Sequence, residues 1–230
     1  MSMPISEGFR ETPADEKPTW RGWIHAGVLP IVIAGGIVLV ALADGMAAKI
    51  TTAIFFASSV LLFGNSALYH RFNWSPKVKV TLKRIDHANI FLLIAGSYTP
   101  ITWLALPQEK ALLLMSIIWG TAVMGIGFRV FWIHAPRWLY VPIYIAMGWG
   151  AFVYVVDFMN ANAPMMILIL VGGLCYTLGA VVYALKKPNP VPGVFGFHEI
   201  FHTLTVLAFM SHWTAALLIA LAPAVGSFGA

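Results

Sequence analysis

Seven separate stretches of this chain are each long and apolar enough to cross a bilayer, and that repetition limits the fold more than any other feature. They run roughly Trp23–Ala43, Ile50–His70, Arg84–Leu104, Ala111–Phe131, Trp138–Val156, Pro164–Leu185 and His198–Leu221. A spanning helix needs about 20 mostly apolar residues. In hydrocarbon every backbone N–H and C=O must be satisfied internally, so single segments of this kind are helices. The expected fold is therefore all-α, an integral membrane bundle of seven transmembrane helices with short connections. Composition agrees. The chain is 60% hydrophobic and only 10% charged, against about 45–50% and about 25% in soluble domains. One core of this size cannot hide that excess, so lipid must solvate much of the surface.

Loop charge gives the orientation. Of the fourteen Lys and Arg residues, Arg10, Lys17, Arg21, Arg71, Lys77, Lys79, Lys83, Arg84, Arg129, Arg137, Lys186 and Lys187 fall on one side of the expected membrane, and only Lys49 and Lys110 fall on the other. The positive-inside rule then puts the N-terminus in the cytoplasm and the C-terminus outside. Trp20, Trp23, Trp74, Trp132 and Trp138 cluster at the same cytoplasmic ends, where a ring sits half wet at the headgroup level. The basic residues thus read as membrane orientation, not as a nucleic-acid surface, despite a net charge of +5.

The expected layout is a polar cytoplasmic tail over residues 1–20, a membrane domain over 21–222 and a short external tail over 223–230. The first residues mix Glu7, Arg10, Glu11, Asp15, Glu16 and Lys17 with three prolines, unlike the basic-then-apolar pattern of a cleavable signal. Pro30, Pro100 and Pro142 interrupt the first, third and fifth spans and are expected to kink them. Cys175 is the only cysteine. It excludes an intrachain disulfide and reads as packing.

Against this apolar background a few ionisable groups stand out. Ser66-Ala67-Leu68-Tyr69-His70 closes the second span, and His198-Glu199-Ile200-Phe201-His202 opens the seventh. Asp86 opens the third. All three ends lie at the cytoplasmic level. His198 and His202 are i and i+4, so both rings share one helical face about 6 Å apart along the axis. Ser66 stands in the same relation to His70. Each piece alone also fits a structural role: a hydrogen-bonded histidine pair, an interfacial histidine, a surface ion pair of Asp86 with Lys83 or Arg84. Ionisable groups at membrane depth are expensive and tend to face one another, and three imidazoles with one carboxylate are the ingredients of a zinc site that keeps a water. Three-histidine sites of that kind favour zinc over other imidazole-binding ions.

His198-Glu199-x-x-His202 also matches the zinc-protease helix, in which the glutamate is the general base. Here Glu199 lies about 100° around the helix from His198, and His70 and Asp86 already offer a third ligand and a base. Glu199 is expected to cap or orient the first turn of its helix, where negative charge suits the dipole. His25 and His134 fall near interfaces, and His87 points away from Asp86. His212 lies about 15 Å further along the seventh span and should have a partner that the sequence does not name. Asn65, Tyr98 and Thr99 either line a cavity or join helices by hydrogen bonds.

Ser66-x-x-x-His70, Asp86 and His198-x-x-x-His202 together resemble the three-part signature of the superfamily that joins hemolysin III proteins, progestin and adipoQ receptors and alkaline ceramidases. The block Arg84-Ile85-Asp86-His87-Ala88-Asn89-Ile90-Phe91-Leu92-Leu93-Ile94-Ala95-Gly96-Ser97-Tyr98-Thr99-Pro100 is similar to the hemolysin III branch in particular. The resemblance implies a zinc ion on His70, His198 and His202 with water as fourth ligand, that water held by Asp86, and Ser66 close by. It also implies a multi-pass protein of a bacterial plasma membrane.

Three functions fit. The first is a zinc-dependent hydrolase cutting an amide bond of a lipid at the inner leaflet, with Asp86 and Ser66 catalytic. The second is a sensor or receptor in which zinc only staples helices. The third is a hemolysin-like regulator of membrane permeability, although no segment carries a sustained polar face. The lipid bilayer is the one partner implied, and oligomeric state is open.

Overall fold

The computed structural model describes residues 18–224 and is all-α. Helices α1 (Trp23–Leu42), α2 (Gly45–Arg71), α3 (Pro76–Ala105) and α4 (Gln108–Phe131) are followed by α5 (Arg137–Gly148), a short 3-10 turn (Gly150–Tyr154) and α6 (Val155–Ala161), and then by α7 (Ala163–Leu185) and α8 (Phe197–Leu221). The stretch from α5 to α6 makes one span, so the described residues contain seven helical segments of membrane-crossing length and composition. The expected tails fall largely outside the described residues.

Burial is arranged as lipid demands. In α3, the least apolar of the seven spans, 78% of the most hydrophobic window is buried, against 22% in the more apolar α1. Oily side chains such as Ile37, Leu113, Val123, Met124 and Val153 face outward, while α3 sits centrally against α2, α4, α5 and α8. A soluble protein of this composition would reverse that order.

Two boundaries differ from the sequence expectation, each for a local reason. Helix α3 starts at Pro76 rather than at Arg84, with Ser75 before it and Pro76 at N1. A proline there loses nothing, because the first N–H groups of a helix have no intrahelical partner. Asp86 is therefore ten residues into α3 and not at its start. In the fifth span the helix runs through Pro142, and the interruption falls after Gly148. Tyr98 on α3 occupies the break: its hydroxyl donates to the Gly148 carbonyl at 2.9 Å and accepts from the Ala151 N–H at 2.7 Å. One side chain thus satisfies backbone groups that the broken ladder leaves open. Helices α1 and α3 likewise continue through Pro30 and Pro100.

Asn65 and Asn89 tie α2 to α3 through the Leu82 and Leu61 carbonyls. The Thr99 hydroxyl accepts from the Trp119 indole and joins α3 to α4. Tyr98, Asn65 and Thr99 are thus helix-joining groups, and Tyr98 also lines a cavity described below. Cys175 is half-buried on α7.

Candidate metal centre

The centre is assembled at the ends of α1, α2 and α8. Gly22, which precedes α1, has φ +81°, and a Cβ there would lie 2.9 Å from the Arg71 nitrogen and 3.0 Å from the His70 Cβ. Only glycine allows both the left-handed turn and that approach, so the start of α1 is seated directly on the end of α2. The Arg71 guanidinium stacks over the Trp23 ring at 4.3 Å, and the Trp74 indole N–H donates to the Leu68 carbonyl. On α8, Glu199 is buried. Its Oε2 accepts from the Gly196 N–H at 2.9 Å and its Oε1 pairs with Arg21. That is the capping role expected from sequence. A buried carboxylate tied to the helix N-terminus also fixes the rotation of the first turn, and with it His198 and His202.

The three imidazoles converge. His70 Nε2 and His198 Nε2 face each other at 3.3 Å, and one ring nitrogen from each of His70, His198 and His202 lies within 4.8 Å of the other two. Four-coordinate zinc binds imidazole at about 2.0–2.1 Å, which places ligand nitrogens about 3.3 Å apart in a tetrahedron. One pair already meets that spacing, and the third nitrogen lies within 4.8 Å of both. Three imidazoles this close together offer three ring nitrogens that one ion could share. The donor set and its spacing therefore fit a divalent metal ion. Asp86 Oδ2 lies 3.8 Å from His70 Nε2, beside that point.

A fourth histidine belongs to the cluster. His25 on α1 is buried, its Nδ1 lies 2.9 Å from Ser66 Oγ, and its ring stacks on His202 with centroids 3.8 Å apart and planes 8° from parallel. Ser66 is thus engaged with His25 while standing one turn below His70. The sequence did carry a signal for His25: it sits in the first turn of α1, at the same end of the bundle as the other three. His87, expected to point away from Asp86, lines the same cavity as Asp86. It contacts the buried Arg129 guanidinium, which stacks over Tyr140. His134 remains exposed.

A cavity runs from this cluster into the bundle. His25, Asp86, His198 and His202 line one end, and His212 lines it as well, ten residues beyond His202 on α8. About 110 Å³ is open to the centre of a water-sized sphere, several times the roughly 10–15 Å³ that one water needs by that measure. Leu62, Ile90, Leu93, Ile94 and Ile145 supply much of the wall.

The pattern of one known family spans most of the chain: residues 14–213 match the family described as "Haemolysin-III related". The chain belongs to the haemolysin-III-related family. Among its relatives are the hemolysin-3 homolog of Bacillus subtilis, 33% identical over 135 residues, and the hemolysin-3 of Bacillus cereus, 33% identical over 141. These matches cover 58% and 61% of the chain. The chain spans just under two thirds of those two proteins, 63% and 64% of their length. The human monocyte to macrophage differentiation factor is 27% identical over 200 residues, 84% of the chain and 80% of that protein. The adiponectin receptor protein of Drosophila melanogaster is 27% identical over 186 residues, 72% of the chain and 41% of that protein. The sequence resemblance to hemolysin III and its receptor relatives is thereby borne out. This haemolysin-III-related chain is a multi-pass membrane protein with a buried His70–His198–His202 group able to hold a metal ion.

Proposed function

We propose that the chain is a zinc-dependent hydrolase acting on an amide bond of a lipid. One observation carries this reading: three imidazoles and Asp86 meet at one end of a cavity whose walls are mostly apolar. A structural zinc site is closed by four protein ligands, whereas a catalytic one has three and an open position. Zinc on His70, His198 and His202 would supply an electrophile for a carbonyl oxygen and a water of pKa about 7. Asp86 takes the proton of the attacking water and returns it to the amine that leaves, so the C–O bond forms as the C–N bond breaks and the products are a fatty acid and an amine. The cavity holds the acyl chain and keeps bulk water from the reacting carbonyl. Ser66, positioned by His25, donates to the oxygen on which charge develops. The basic end of the bundle faces the cytoplasm, so the lipid enters from the inner leaflet.

The test is metal analysis and turnover of a ceramide-like amide by the detergent-purified protein. About one zinc per chain is expected, and Asp86→Asn should keep the metal while lowering turnover about 10²–10⁴-fold. Zinc without turnover of any lipid amide, in either protein, would end the hydrolase reading. The likeness to a protein named as a receptor favours a second reading, in which the ion only joins α2 to α8. Histidine substitution would then lower thermal stability with no activity to lose.

A further inference from the structure

The far end of the cavity contains a polar atom that the proposed chemistry does not use. His212 is buried, and its Nε2 lies 3.3 Å from the Ile169 carbonyl oxygen on α7. A carbonyl only accepts, so Nε2 carries the hydrogen and the neutral ring presents a bare lone pair at Nδ1. That Nδ1 is buried and has no hydrogen-bond partner among the described residues. Buried polar atoms without partners are rare.

The ring packs closely against α7. Residue 172 is glycine, and a Cβ there would lie 2.3 Å from His212 Cδ2 and 2.6 Å from Nε2. Its absence lets the ring reach the α7 backbone. Tyr176 packs edge-on against the ring with centroids 5.5 Å apart. Other hydroxyls along the cavity have partners elsewhere: Tyr98 donates to the Gly148 carbonyl, Tyr144 donates to the His87 carbonyl, and Ser66 is paired with His25. Thr205 donates to the Phe201 carbonyl, Thr177 to Gly173 and Ser97 to Ile94. A donor for Nδ1 must come from whatever fills the cavity.

We propose that His212 Nδ1 accepts a hydrogen bond from a hydroxyl carried part-way along the acyl chain of the bound lipid. This rests on the reading above that an acyl chain occupies the cavity. His212 is ten residues beyond His202, about 15 Å along the helix axis. An extended covalent chain advances about 1.2 Å per bond, so the hydroxyl belongs roughly a dozen carbons from the carbonyl. Leu93, Ile94 and Ile145 line the cavity and suit methylenes in between. The ligand class is therefore a long-chain acyl group with a single mid-chain hydroxyl, and His212 is the residue that selects it.

The experiment is displacement of a fluorescent fatty acid from the zinc-loaded, detergent-purified protein by octadecanoate and by its 3-hydroxy and 12-hydroxy derivatives. The 12-hydroxy acid should displace the probe about three- to tenfold more effectively than octadecanoate, and the 3-hydroxy acid should gain nothing. His212→Leu should remove the 12-hydroxy preference while octadecanoate still binds, and Gly172→Ala, which pushes the ring aside, should do the same. Equal displacement by all three acids on the unaltered protein overturns the proposal but leaves an acyl-binding cavity. So does a 12-hydroxy preference that survives His212→Leu. Failure of the unaltered protein to bind the probe overturns the acyl reading and this inference together. The positional series needs no variant, so it decides the matter even where a substitution prevents folding.

Discussion

Glu199 sits inside a sequence that spells a zinc-protease helix, yet the structure gives it a capping role, and substitution separates the two. Glu199→Ala removes the acceptor for the Gly196 N–H and the partner of Arg21. Loss of an N-terminal cap costs about 1 kcal/mol. Loss of a charge-assisted hydrogen bond costs about 1.5–3 kcal/mol, and Arg21, one-fifth exposed, recovers part of that from water. The expected total is about 2–3 kcal/mol, concentrated on the first turn of α8 and so on His198 and His202. Glu199→Gln keeps an amide oxygen for the cap but loses the charge and the acceptor for Arg21, so it should cost less than Glu199→Ala. Thermal unfolding in detergent should rank wild type above Gln above Ala, and bound zinc should fall in the same order. Turnover corrected for bound zinc should change little in either variant. A general base would behave otherwise: Glu199→Gln would then lower turnover about 10²–10⁴-fold with zinc and stability intact. That pattern, with Asp86→Asn still active, would refute the assignment of both carboxylates.

Three further outcomes are expected. His70→Ala and His202→Ala should each abolish stoichiometric metal in elemental analysis of the purified protein, since two remaining imidazoles bind weakly, whereas His134→Ala should not. Tyr98→Phe should leave the Gly148 carbonyl and Ala151 N–H without their partner and destabilise the bundle by about 1–3 kcal/mol, measured as a lower unfolding temperature. A cysteine placed in the 72–75 connection should be shielded from an impermeant thiol reagent in intact cells and one at Gln108 labelled, both in a Cys175→Ala background. The reverse pattern would put the histidine end outside and remove the inner-leaflet reading.

How much of this was legible from residues depends on whether the signal was local. The seven spans were, because in lipid hydropathy and helix formation are one constraint. The His70–His198–His202 cluster was legible for a related reason: a membrane fixes depth, so residues far apart in the chain can be matched by level before any packing is known. Depth says nothing about azimuth, however. His25 shares the level of His70, but only the Gly22 turn, seated on the His70 and Arg71 backbone, swings it over Ser66 and His202. The break after Gly148 was hidden in the same way. Pro142 looked like the weak point of the fifth span, but a proline in a bundle can be accommodated within one helix, while the opening that formed needed a hydroxyl from Tyr98 on another. His212 is the sharpest case. The cost of burying it was evident from the sequence, but its partner is a backbone carbonyl reached through a missing Cβ on α7. Side-chain chemistry confined to one helix can be read in advance, and chemistry that depends on one backbone's approach to another cannot. The atoms left unmatched by that approach, Nδ1 of His212 above all, are where a ligand has the most to contribute.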